Sequence, residues 1–529
     1  MRRKLLVTGL SSFIVALSWC AQAAEKTAES PTTKTQALQL ERQRVERAQQ
    51  SRKEQDDVLD LQLRLASMAL DAGDRVLARE VLMQVTQQMS DILTDKNFQR
   101  AERRSVQTLG GRESEKYFLG EPYEQLFAFL YLGVLDFQAG DYEFARSSFR
   151  SAQAADEMSN LEGYRSDCYL AFLLEALASK ALNEEEAAAE AFALTERAYI
   201  FRRLMEFVPS AFQAAAQVQT DEGTVEPKSK RERKALQEKN ERFGAALAMV
   251  ASYLGVGLAA ESSPQKGIAV TFDYAIARLD DPGKFSEAVD YLELFDKKEK
   301  AAGLPGEILN ELRSVVEQNL DPGIDAARDA AQTEIEAILA KYRDPSVNVY
   351  LLSELGFGPT KQRGGAFGSS QIFVPCTTPA RHRLFLLEQP GDVQLATSAG
   401  GLYESVDFQA MTRGGRFMDY LLAGQATTKR RLGVAADVIG NVGGAYGDAI
   451  AGVLRIFARS IHSEADVRTW NELPSDIGVL CASLPEGEYR WAVQSYDSLG
   501  NLVETESTIQ AFTVQSNKPV LLSTTTEWL

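Results

Sequence analysis

The segment FLYLGVLDFQAGDYEFARSSFRSA, Phe129 to Ala152, constrains the fold more than any other stretch. Its apolar residues recur at helical spacing on both sides of Gly140-Asp141, so it reads as two antiparallel helices joined by a tight turn. Gly133 and Ala145 are small where the two helices must approach, and Phe149 is placed to fill the groove towards a neighbouring hairpin. One hairpin cannot bury its apolar face alone, so related hairpins should stack beside it.

Phe129, Leu132 and Gly133 stand where a tetratricopeptide repeat places its first-helix aromatic, leucine and small residue; Ala145, Phe149 and Ala152 supply the second-helix pattern. Asp136 replaces the usual aromatic. Two weaker copies flank this repeat. Upstream, Leu65, Ala66 and Ala69 precede Gly73-Asp74, and Ala78, Leu82 and Val85 follow. Downstream, Phe172 and Ala176 are followed by Ala188 and Phe192, with acidic Asn183-Glu184-Glu185-Glu186 at the turn. Phe149 and Phe192 lie 43 residues apart, against about 34 for this repeat, so either the array is irregular or it carries an insertion. Exposed charges such as Glu80 and Arg146 are candidates for a concave surface or for plain solvation. A Thr-, Ser- and Glu-rich leader over 24–36 precedes helical patterning from Ala37 to Arg343, with a charged loop or linker at about 219–240. Residues 37–343 are therefore expected to form a tetratricopeptide-like α-solenoid.

The pattern changes at Asp344-Pro345. Strands are expected at Val347–Leu352, Ser370–Cys376, Arg383–Leu387, Leu402–Phe408, Ile477–Ser483, Tyr489–Tyr496, Ile509–Val514 and Val520–Thr525, with GFGPTKQRGGAFG as a loop. Turn chemistry at Pro485-Glu486-Gly487 and Asp497 to Asn501 brackets one of them. Residues 344–529 thus read as a β-rich, sandwich-like domain. Inserted in it is the glycine-rich stretch 430–463. No Gly-Lys-Ser/Thr follows its glycines, which argues against a phosphate loop, and Asp437, Asp448, Arg455 and Arg459 interrupt any membrane span. A helical hairpin packed closely at Gly440, Gly444, Gly447 and Gly452 is expected, with a membrane-perturbing or partner-binding hairpin as the alternative. The fold class is α+β: an N-terminal α-solenoid, then a C-terminal β-sandwich-like domain with a glycine-rich helical insertion.

Residues 1–23 carry a basic start (Arg2, Arg3, Lys4), an apolar run from Leu5 to Trp19 and the small-x-small pattern Ala21-Gln22-Ala23. This is the layout of a bacterial secretory signal peptide, with a mature chain expected to start at Ala24 in the periplasm. The alternative is lipidation at Cys20 and an outer-membrane anchor, for which Trp19 is a poor preceding residue. The formal net charge of −17 repels nucleic acid and anionic lipid. Cys168 sits in an apolar helical pattern, whereas Cys376 and Cys481 lie in strand-like runs and either pair with each other or stay as thiols.

Catalytic motifs are sparse. His382 and His462 have no HExxH, histidine pair or Cys–His grouping beside them, and neither GxSxG nor SxxK occurs. No cofactor or metal is expected. Among 74 acidic residues a glycosidase-like pair remains an alternative.

One further stretch is distinctive: Asp466, Arg468, Trp470, Leu473 and Pro474, then the strand Ile477–Ser483 and Leu484-Pro485-Glu486-Gly487. Together with GDYEFARSSFRSA it resembles an uncharacterised bacterial envelope protein family, whose members combine tetratricopeptide-like helices with a C-terminal β domain carrying an Asp-x-Arg-x-Trp-x-x-Leu-Pro signature. Many members look like lipoproteins, and the resemblance implies no activity. The residues themselves point to a structural clamp. Trp470 can bury a large area, Arg468 can fork onto Asp466 or a strand carbonyl, and Leu473-Pro474 can start a strand; a ligand site on Arg468 and Trp470 is the alternative. The expected function is a non-catalytic periplasmic scaffold or adaptor that binds an envelope protein or peptide through its helices. The alternatives are a carboxylate-based cell-wall enzyme and an outer-membrane lipoprotein accessory factor.

Overall fold

Three helical hairpins turn by the same set of backbone hydrogen bonds in the computed structural model of this protein. Asp74, Asp141 and Glu184 donate N–H to Ala69, Asp136 and Ser179 carbonyls at 2.8, 2.9 and 3.0 Å. Gly73, Gly140 and Asn183, one residue earlier in each turn, donate to Leu70, Phe137 and Lys180 at 2.9, 2.9 and 3.0 Å. These are the paired bonds of a Schellman cap, which needs a left-handed residue after the helix. That residue has φ of 75° at Gly73, 81° at Gly140 and 61° at Asn183. The carbonyls left over at one helix end are thereby satisfied, and the chain reverses.

The structure describes residues 31–51, 57–94, 118, 120–157, 167–221, 321–364, 370–374, 382–389, 392–396, 401–412, 467–496, 502–505, 510–516 and 518–523. The helices among them are α1 Pro31–Gln50, α2 Val58–Asp71, α3 Arg75–Thr94, α4 Pro122–Gln138, α5 Tyr142–Asp156, α6 Tyr169–Ala181, α7 Glu185–Asp221, α8 Asp321–Arg343 and α9 Val406–Thr412. Helix α1 starts inside the stretch expected to be a leader. The segments 1–23, 222–320 and 430–463 lie outside the described residues. No helix among the described residues is long and apolar enough to cross a membrane.

Small residues recur where hairpin helices meet: Ala66 and Ala78, Gly133 and Ala145, Ala176 and Ala188. A Cβ built on Gly133 would come within 2.5 Å of the Phe149 ring, which is fully buried against it. Leu132 and Ala152 are buried too, and Phe129 is half-buried. Asp136 is buried beside the Arg79 guanidinium of α3 at 2.6 Å and takes a weaker bond from Ser148 at 3.4 Å. The polar substitution in the repeat therefore links one hairpin to the one before it. Burial raises the Asp136 pKa while Arg79 opposes the rise.

Strands β1 Val349–Leu355, β7 Asp476–Ala482, β6 Leu402–Ser405 and β11 Val520–Ser523 form a sheet of order β11-β1-β7-β6. Its β1–β11 pair is parallel, Val349 opposite Val520, while β1–β7 is antiparallel. A second sheet has the order β10-β8-β4-β5, with β9 beside β8, from β4 His382–Gln389, β5 Asp392–Ala396, β8 Gly487–Tyr496, β9 Leu502–Thr505 and β10 Gln510–Val514. Strands β2 Thr360–Gly364 and β3 Ser370–Val374 make a two-stranded ribbon. Segment 360–364 was expected as loop, and the strand expected over Leu402–Phe408 ends at Ser405. There Val406 N–H turns to the Ser475 carbonyl at 2.8 Å and α9 begins.

Side chains from both sheets meet in one core: Val349, Leu351, Leu480 and Leu522 from the first, Tyr489, Trp491 and Val514 from the second. The other face of β1 and β11 meets α4. Tyr131 donates to Glu354 at 2.6 Å, and Gln138 donates to Ser523 at 3.0 Å. Alternation along the strands sends Leu351 and Leu522 to one layer, Glu354 and Ser523 to the other. Helix, sheet and sheet are thus stacked in that order.

Two compact units emerge. One comprises 1–160, 170–188 and 344–529; the other comprises 161–169 and 189–343. The boundary at Asp344 lies where the sequence changes character, but the first hairpins group with the β region rather than with 189–343. In the second unit α7 and α8 run antiparallel, paired through Arg203–Glu334 at 3.2 Å and Arg343–Glu196 at 3.3 Å, with Arg343 over the Phe192 ring at 5.5 Å.

Gly133→Ala is expected to lower stability by about 1–3 kcal/mol, because the new methyl meets an aromatic ring that has no room to yield. Urea unfolding of the variant beside the parent chain measures it.

Candidate functional site

Glu121-Pro122-Tyr123-Glu124 starts α4, with proline in the first turn and glutamate at its third position. The Glu124 carboxylate is fully buried, yet it has four donors. Its Oε2 accepts the Glu121 N–H at 2.6 Å and the Lys361 ammonium at 3.1 Å. Its Oε1 accepts the Thr469 hydroxyl at 2.8 Å and the Trp470 N–H at 2.7 Å. Thr469 has spent its only proton there, so the Tyr123 hydroxyl donates to Thr469 across 3.0 Å. Lys361, from β2, is itself buried, and also donates to the Arg468 carbonyl at 3.1 Å while lying 5.7 Å from the Tyr123 ring centre. Burial, then the Glu124 charge, pushes the Tyr123 pKa well above its ordinary value.

The segment 467–474 that reaches Glu124 is the distinctive one. Trp470 is buried between helices: its indole N–H donates to Ser67 of α2 at 2.7 Å, and its ring lies 5.9 Å from that of Tyr131 on α4. Arg468 reaches back towards the helices. Its guanidinium donates to Asp57, just before α2, at 2.7 Å and covers the Phe118 ring at 5.5 Å. Leu473 and Pro474 are buried, but β7 starts only at Asp476; the Leu473 carbonyl instead accepts the Gly358 N–H at 2.6 Å.

Beside this network lies a cleft of 640 Å³ lined by Arg44, Arg47, Ser51, Asp57, Asp60, Leu61 and Arg468. That is the size of a small-ligand site. Arg44 and Arg47 sit one turn apart on α1, and Asp57 and Asp60 open α2. Asp60 is raised from 3.8 to about 7, first by burial, then by the charges of Glu124, Glu472 and Asp57, with Arg468 opposing. Near neutral pH the described residues of the cleft thus supply three guanidinium groups, one paired carboxylate and an acid that is half protonated. Such an arrangement suits an anion, with Asp60 able to donate a hydrogen bond.

Of the residues singled out from sequence, Arg468 and Trp470 come together here, whereas Gly133, Ala145, Phe149 and Ala152 belong to the hairpin interior and Gly140 to its exposed turn. Asp466, Cys20, Cys376 and His462 lie outside the described residues. Cys481 faces Tyr350 across β1–β7, and Cys168 is buried. Glu124, Lys361, Asp57, Asp60 and Ser67 escaped sequence reasoning. Only Glu124 carried a signal, as an acid in the first turn after Pro122. Among the described residues no group of three or more His, Cys, Asp or Glu side chains is arranged for a metal ion. No protein-family model matches this chain, and neither a curated protein nor a solved structure matches it.

Lys361→Met leaves the Glu124 carboxylate buried with one donor fewer, and should cost about 3–5 kcal/mol in urea unfolding; Glu124→Gln combined with Lys361→Met should recover part of that loss. Between pH 3.8 and about 7 folded Asp60 keeps a proton that the unfolded chain has released. Stability should therefore fall as pH rises through this window and level off above it. Asp407, raised to about 7 by burial and then by Asp476, acts with the same sign. Thermal melts across the range should show the slope reduced in Asp60→Asn.

Proposed function

We propose that this protein is a non-catalytic scaffold or adaptor of the bacterial periplasm, binding a protein or peptide partner in cell-envelope assembly or maintenance. The observation that carries this reading is the hairpin turn repeated bond for bond at Gly73, Gly140 and Asn183, because stacked hairpins of this kind offer an extended binding surface. On this reading the helices are a tetratricopeptide-like solenoid, and the two sheets that share one core are a β-sandwich-like domain. The periplasmic assignment rests on the residues 1–23, with an outer-membrane lipoprotein anchored at Cys20 as its variant. Kinship with the envelope family bearing the Asp466–Pro474 signature belongs to the same proposal.

Crosslinking in intact cells, followed by capture of the full chain, should recover one recurrent envelope protein. Capture of nothing above background would sink the adaptor reading. The intact mass should correspond to a chain starting at Ala24; a chain starting at acylated Cys20 would place the protein on the membrane.

A second reading draws on one observation: two carboxylates, Asp57 and the proton-holding Asp60, share a cleft, as an acid and its partner do in a glycoside hydrolase. The arginine lining and the Asp57–Arg468 bond favour binding instead. Purified peptidoglycan should yield no soluble fragments with the protein; release that disappears in Asp60→Asn would replace the adaptor by an enzyme.

A further inference from the structure

Arg44 and Arg47 are poorly compensated. Among the described residues Arg47 meets no carboxylate, its Nε donating to the Gln43 carbonyl at 3.2 Å. Arg44 meets only Glu41, at 3.5 Å, and Arg64 competes for the same oxygen at 3.8 Å. In a chain of net charge −17, two neighbouring arginines of α1 that line one cleft are poised for an outside acceptor. The far wall supplies Arg468, whose charge is already shared with Asp57, and Asp60. Leu61 adds an apolar wall and Ser51 a hydroxyl.

We propose that this cleft binds a carboxylate of an acidic peptide segment, which Arg44 and Arg47 grip through their guanidinium N–H groups, with Asp60 and Arg468 lining the same cleft. This rests on the peptide-binding reading above and assigns it a place. A carboxylate is the fitting anion because a planar two-oxygen group matches a guanidinium fork. The cleft is also large enough to take a side chain together with its backbone. The proton on Asp60 is part of the site. Burial first, then Glu124 from α4, Glu472 from the segment after Trp470 and Asp57 beside it disfavour its ionisation, while Arg468 opposes them. Arg44 and Arg47 of α1 line the same cleft. Were Asp60 ionised, it would repel the incoming carboxylate. Binding therefore takes up a proton. With half-protonation at about 7, affinity for the protonated form alone drops about tenfold from pH 6 to pH 8.

The test is calorimetric titration of the full chain with N-acetyl-triglutamate amide, its triglutamine counterpart and inorganic phosphate, at pH 6 and pH 8. Triglutamate is expected to bind, about tenfold more tightly at pH 6, with triglutamine and phosphate far weaker. Arg44→Gln combined with Arg47→Gln, both on an exposed helix face, should weaken triglutamate at least about tenfold. Asp60→Asn should keep the binding and lose its pH dependence. Equal binding of triglutamate and triglutamine, indifference to the arginine pair, or a pH dependence that survives Asp60→Asn would overturn the assignment. Phosphate binding as tight as triglutamate would overturn its peptide part. Capture of the envelope partner undiminished by the arginine pair would sink this site while leaving the adaptor reading intact. Triglutamate binding without any captured partner would do the reverse.

Discussion

A carboxylate leaves water at a cost of several kcal/mol unless its oxygens are met by donors and its charge by a cation. Glu124 has both, since Glu121, Thr469 and Trp470 supply neutral donors and Lys361 the charge. These partners come from three distant parts of the sequence: the start of α4, the ribbon strand β2 and the segment before β7. One buried oxygen pair thereby fixes the entry of a helix, the position of a hairpin ribbon and the depth of Trp470. With Glu124 satisfied, Arg468 is delivered to Asp57, and the wall of the cleft follows.

The hairpins are joined by a second, simpler device. Arg79 and Arg146 stand five residues after the Asp74 and Asp141 that close their turns. Arg79 reaches Asp136, and Arg146 reaches Glu184. Both contacts run forward into the next hairpin, so the ion pairs repeat with the backbone. Arg150 adds Glu175 at 2.5 Å, where Gln153 also donates at 2.7 Å. Burial of small and aromatic residues supplies the attraction between hairpins, and the ion pairs fix which charges may sit beside one another.

The hairpins were legible because their information is local. Gly140-Asp141, the small residue Gly133 and the groove-filler Phe149 lie within one helix pair, and their spacing encodes their contact. Most strands were legible from β-branched and aromatic runs, such as Asp476–Ala482, one residue from the expected Ile477–Ser483 at each end. Thr360–Gly364 was not, since TKQRG has no apolar alternation; its strand character comes from pairing with Ser370–Val374. The parallel β1–β11 pair was hidden for a related reason, because nothing in either sequence names its partner. Trp470 could be read as a residue that must be buried, but its Ser67 acceptor sits in an ordinary helix. Likewise Asp60 looks like any first-turn acid. Its displaced proton equilibrium arises when the fold buries it and then gathers Glu124, Glu472 and Asp57 around it.

The long span of these contacts orders events in time. Synthesis supplies α2 and α4 early, yet Ser67 and Glu124 wait for Trp470, 403 and 346 positions later. Strand β1 likewise waits for Val520–Ser523 to complete its parallel edge. Until then the early hairpins hold a vacant slot lined by Tyr123, Tyr131 and an unmatched carboxylate. Loop closure over such distances is slow, and it must precede its reward. The nascent chain therefore carries these helices as an unfinished socket, and only segments made some hundreds of residues later can shut it.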